Sequence, residues 1–100
     1  MKKDDQDHLN LLIKLKKNPQ SSQRKLASDL GFSLGKLNYC LKALKNKGFV
    51  KINNFKKNPN KTDYIYILTP AGIKEKTTLT INFMKRKMRE YEELRENLKN

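Results

Sequence analysis

Ser22-Gln23-Arg24-Lys25-Leu26-Ala27-Ser28-Asp29-Leu30-Gly31-Phe32-Ser33-Leu34-Gly35-Lys36-Leu37-Asn38-Tyr39-Cys40-Leu41-Lys42-Ala43-Leu44-Lys45-Asn46-Lys47-Gly48 is the stretch on which the fold turns. Ser22 carries a hydroxyl suited to capping a helix, and Leu26, Ala27 and Leu30 then fall on one face until Gly31 supplies a left-handed stop. Phe32 turns the chain and Ser33 caps again. Leu37, Leu41 and Leu44, with Cys40 beside them, form a second apolar stripe that runs to Lys47 before Gly48 breaks it. Two short helices joined by only a few residues are therefore expected.

Upstream, Leu9, Leu11, Leu12, Ile13 and Leu15 recur at three- and four-residue spacing, and Asp4, Asp5 and Asp7 stand where a helix N-terminus favours negative charge. A helix from about Asp4 to Lys17 follows, ended by Asn18-Pro19 because the residue before proline is pushed out of the helical region. Downstream, Phe49–Phe55 and Tyr64–Leu68 alternate or cluster β-branched and aromatic residues and are expected to be antiparallel strands. The polar, basic connection between them suits a hairpin tip in solvent. Thr69-Pro70 then starts a long helix, with threonine as cap and proline in the first turn. Ile73, Ile81, Met84, Met88, Tyr91, Leu94 and Leu98 form an irregular coiled-coil-like seam along it.

The expected fold class is mainly α with a small β-hairpin. The order of helix, short helix, tight turn, helix and basic hairpin is that of a winged helix-turn-helix, here followed by the long C-terminal helix. Residues 1–69 are expected to form the DNA-binding domain and residues 70–100 a dimerisation helix.

In that layout the third helix enters the major groove. With its leucines on the core, Ser33, Gly35, Lys36, Asn38, Tyr39, Lys42 and Lys45 are its candidate DNA-facing residues. Lys36 suits a guanine edge or a phosphate, Asn38 an adenine edge, and Tyr39 a phosphate oxygen or a sugar face. Gly35 permits close approach, while Lys42 and Lys45 suit phosphates. Ser22, Gln23, Arg24 and Lys25 open the second helix, where free amides face an anion. Lys56, Lys57, Asn58, Asn60 and Lys61 furnish the tip of the wing.

Composition points the same way. The chain has 100 residues, with 23 Lys+Arg against 10 Asp+Glu and a formal net charge of +13, which makes a polyanion the natural partner. The size leaves no room for a second core, and with 36% hydrophobic residues the first is thin, so pairing with another copy is expected. Ile81, Met84, Met88, Tyr91, Leu94 and Leu98 are the candidate dimer contacts. Lys85, Arg86, Lys87 and Arg89 followed by Glu90, Glu92, Glu93 and Glu96 divide the same helix by charge, which suits either a crossing partner or intrahelical pairs.

Cys40 is the only cysteine and His8 the only histidine, which rules out a disulfide or a Cys/His zinc site within one chain. Cys40 reads as a small buried hydrophobe and His8 as a surface or packing residue. No Gly-rich phosphate loop or catalytic triad is present in the pattern, so neither cofactor nor enzymatic activity is expected. The apolar cluster from Leu9 to Leu15 is too short for a membrane span, and a cytoplasmic protein with no membrane partner is expected.

The stretches Ser22 to Gly31, Ser33 to Leu44, Lys47-Gly48-Phe49-Val50 and Leu68-Thr69-Pro70-Ala71-Gly72 resemble MarR-type winged-helix regulators. More narrowly, the chain is similar to the small MarR-type regulators associated with bacterial exopolysaccharide gene clusters. The resemblance implies a homodimeric transcriptional regulator reading an inverted-repeat operator in double-stranded DNA. Two departures qualify it. The long N-terminal extension of larger relatives is missing, so a small-molecule effector pocket is not expected, and Lys25 stands where an acidic capping partner is common. A second expectation, from another class, is a basic interaction or structural protein whose C-terminal helix docks a partner while its surface binds RNA or an anionic surface.

Overall fold

Three hydroxyl caps set the frame. A computed structural model of the chain describes residues 3–19, 21–53 and 65–99. It gives α1 Lys3–Lys17, α2 Gln23–Leu30, α3 Leu34–Asn46, β1 Val50–Asn53, β2 Ile65–Leu68 and α4 Pro70–Asn97. Ser22 Oγ accepts from the Lys25 amide, Ser33 Oγ from the Lys36 amide, and Thr69 Oγ1 from the Gly72 amide. Each cap satisfies an amide that the first helical turn leaves without a partner. At the end of α2, Gly31 takes φ 71° and the amides of Gly31 and Phe32 close onto the carbonyls of Ser28 and Ala27.

The core is leucine-rich and built mainly by three helices. Leu9, Leu11, Leu12 and Leu15 of α1 meet Leu26 and Ala27 of α2 and Leu37, Cys40, Leu41 and Leu44 of α3, with Val50 of β1 closing one side. The strands pair antiparallel, Val50 opposite Leu68 and Ile52 opposite Tyr66. The expected outer ends of the strands, Asn54-Phe55 and Tyr64, and the hairpin tip lie outside the described residues.

The junction between β2 and α4 is tightly tied. Thr69 donates its hydroxyl to the Gly48 carbonyl and its amide to the Phe49 carbonyl. One turn later Gly72 is buried against the same segment, and a Cβ there would collide with the Phe49 carbonyl. The glycine is required by this backbone approach.

α4 begins as part of the core and ends away from it. Leu79 is buried and Phe83 packs against the core cluster as α4 crosses α1, although neither belongs to the seam expected from spacing. From Met84 to Lys99 every residue except Glu90 is exposed. At 28 residues α4 is about 42 Å long, and the molecule measures 63 × 26 × 20 Å.

Candidate nucleic-acid interface

α3 has two chemically distinct sides. Leu37, Cys40, Leu41 and Leu44 face inward and fix its rotation, which leaves Asn38, Tyr39, Lys42 and Lys45 exposed on the other. Tyr39 is 68% exposed, and its hydroxyl is free to reach outward. Gly35 is exposed as well, and a Cβ added there would meet only Ser33 Oγ at 4.0 Å. The fold itself therefore has no need of glycine at this position. Ser33 spends its hydroxyl on the helix cap.

Leu34, which spacing does not single out, is an exposed apolar residue at the start of α3. An apolar group at the leading end of such a helix suits contact with a thymine methyl. The signal was a leucine outside the core stripe.

Lys36 is placed differently from its neighbours. Its Nζ lies 3.0 Å from Asp7 Oδ2 of α1 and 4.4 Å from the centroid of the Phe32 ring. Among the described residues Lys42 and Lys45 make no ion pair. Lys36 is therefore held against the protein while the other two cations of α3 stand open.

At the start of α2, Arg24 and Lys25 are exposed, the latter 4.0 Å from Asp29 one turn on. Ser22 is engaged as the cap, and Gln23 donates to the Tyr66 hydroxyl of β2 over 3.3 Å. That bond ties α2 to the base of the hairpin. A shallow groove lined by Lys17, Asn18, Ser21, Ser22 and Lys25 runs along the same edge. Lys56, Lys57, Asn58, Asn60 and Lys61 lie outside the described residues.

The two residues with chemical potential of their own are buried. Burial pushes the Cys40 thiol up, and the nearby Asp7 carboxylate pushes it further, so the thiolate is disfavoured. His8 is buried; desolvation, and then the Lys47 charge, lower its pKa below the usual 6.5. Among the described residues no group of three or more His, Cys, Asp or Glu gathers in a way that would hold a metal. Among the described residues no helix is long and apolar enough to cross a membrane.

On α4, Ile81, Met84, Met88, Tyr91, Leu94 and Leu98 are all exposed, Met88 by 65% and Leu98 by 88%. Beside them Arg86 and Lys87 both reach Glu90, at 3.3 and 3.2 Å. No ion pair between Arg89 and Glu93 is found among the described residues.

This arrangement, three helices with a two-stranded hairpin behind the third, is a winged helix-turn-helix. Residues 6–51 match the family model described as winged helix-turn-helix DNA-binding. No curated protein matches the sequence. Among solved structures the chain is similar to the transcriptional repressor CouR bound to a 23-mer DNA duplex, at 23% identity and a TM-score of 0.72, covering 89% of this chain and 63% of that one. It is similar to Staphylococcus aureus MarR in complex with salicylate and kanamycin, at 15% identity and a TM-score of 0.69, covering 86% and 56%. A Staphylococcus aureus MepR mutant bound to an oligodeoxyribonucleotide aligns at 19% identity and a TM-score of 0.67, covering 92% and 72%. The chain thus spans less than two thirds of the length of CouR and of the Staphylococcus aureus MarR. At these identities the likeness establishes the shared fold.

Proposed function

We propose that the protein is a MarR-type transcriptional regulator that binds double-stranded DNA in a sequence-specific manner through α3. The observation that carries this reading is the division of α3, whose leucines lock it into the core while Asn38, Tyr39, Lys42 and Lys45 project together on its exposed side, in a chain of formal net charge +13. Lys42 and Lys45 contact phosphates and set the affinity, Tyr39 contacts a phosphate oxygen or a sugar face, and Asn38 and the leading end of the helix read bases. Arg24 and Lys25 at the start of α2 add phosphate contacts. Two neighbours of the same fold were solved on DNA, which supports the reading.

The protein acts as a homodimer joined along the exposed seam of α4, which presents two copies of α3 about one helical turn of DNA apart and selects an inverted-repeat operator. Support comes from six large apolar side chains, from Ile81 to Leu98, exposed on a helix that extends past the core. The narrower resemblance of the sequence supports exopolysaccharide genes as targets, and a genome-wide map of bound sites tests that.

The direct test is selection of duplexes from a random pool, followed by titration of the enriched site against a scrambled duplex, single-stranded DNA and RNA. Enrichment of an inverted repeat whose preference weakens in Asn38→Ala is the expected result. Equal affinity for all duplexes, or tighter binding of RNA than of any duplex, would refute it.

A further inference from the structure

Asp7 is unexplained by the needs of its own helix. The acids of the first turn of α1 are Asp4 and Asp5, which complement the helix N-terminus. Asp7 lies beyond that turn and turns its carboxylate to the first turn of α3, 3.0 Å from the Lys36 ammonium. The pair is half withdrawn from solvent, with side-chain exposures of 39% for Lys36 and 16% for Asp7, and the ammonium also sits over the Phe32 ring. An ion pair in that setting is screened by salt less than an exposed one. A carboxylate at the leading end of a DNA-facing helix opposes binding by occupying the lysine that stands there.

We propose that Asp7 is an electrostatic brake on the recognition helix. It holds Lys36 back from the phosphate backbone, so that arbitrary duplexes gain no contact from this lysine. Only a site that offers Lys36 a better acceptor, such as a guanine edge with two acceptors at the right depth, draws it off Asp7. The brake thereby lowers non-specific affinity and widens the gap between operator and other DNA. The inference rests on the reading of α3 as the DNA-contacting helix.

The test uses the full chain and a labelled duplex of mixed sequence, titrated by fluorescence anisotropy across a range of salt concentrations. Asp7→Asn keeps the size of the side chain and removes its charge. It is expected to tighten binding about three- to tenfold at low salt and to steepen the dependence of log K on log salt by about 0.9, one additional phosphate contact. The gain should vanish in the Asp7→Asn, Lys36→Gln double variant, and Asp7→Glu should restore wild-type binding. Thermal melting of each variant confirms that it is folded. Unchanged or weaker binding by folded Asp7→Asn, or a gain that survives Lys36→Gln, would overturn the brake. A Lys42→Ala, Lys45→Ala control separates the two readings. If the control binds more weakly while Asp7→Asn changes nothing, only the brake fails; if the control too binds as wild type, the role of α3 fails and the brake with it.

Discussion

Single residues carry more constraint here than their surface counterparts suggest. Gly72 faces the Phe49 carbonyl with no space for a methyl group, whereas Gly31 has open space but a φ of 71°. Gly31→Ala is expected to cost about 1 kcal/mol from the left-handed conformation alone. Gly72→Ala should cost more, roughly 1–3 kcal/mol or above, because backbone must move. Chemical denaturation of the two variants gives the order. His8 supplies a pH dependence. Its folded pKa lies below 6.5 because desolvation, reinforced by Lys47, disfavours the imidazolium, so the unfolded chain binds the proton more readily. Stability from this residue is complete above about pH 6.5 and is lost as acidification passes from there through the folded value. Melting temperatures between about pH 7.5 and pH 5 should fall in the wild type and fall less in His8→Gln.

Elements combine these residues into faces with separate duties, and α3 shows it best. Leu41 is 2% exposed, and Leu41→Ala should remove about 2–5 kcal/mol of stability through transfer and cavity effects together. Lys42, the next residue, is exposed. Lys42→Ala is expected to leave the melt unchanged while reducing the salt slope of duplex binding by about 1. A large loss of stability with Lys42→Ala, or an intact salt slope, would show that the outer face of α3 does not meet phosphate. Lys36 is the exception on this helix, since its ammonium is already matched within the protein.

For the whole molecule the decisive feature is how α4 divides. Leu79 and Phe83 anchor its first half to the core, and the rest carries an apolar seam into solvent. A truncation after Gly72 would therefore strip core residues as well as the seam. Met88→Glu with Leu94→Glu is the cleaner probe, because both side chains are exposed in the single chain. The double variant should keep the wild-type circular dichroism spectrum, become monomeric by light scattering and lose affinity for a two-half-site duplex. Dimers that persist in it would place the self-association surface elsewhere.

The sequence by itself determined the helix order and most boundaries. Ser22, Ser33 and Thr69 act on amides three residues away, Gly31 and Gly48 take positive φ where each helix stops, and such short-range signals are written in consecutive letters. The apolar stripe of α3 was legible for the same reason, and it fixed which residues could face a duplex. Tertiary structure alone decided which side of α4 meets α1, drawing in Leu79 and Phe83 where spacing had traced a seam through Ile81 and Met84. It alone joined Gln23 to Tyr66 and Asp7 to Lys36. Helical periodicity specifies that a face exists, but its partner is chosen by packing between segments distant in the chain, and a pair of charges on two helices is legible only once those helices have docked.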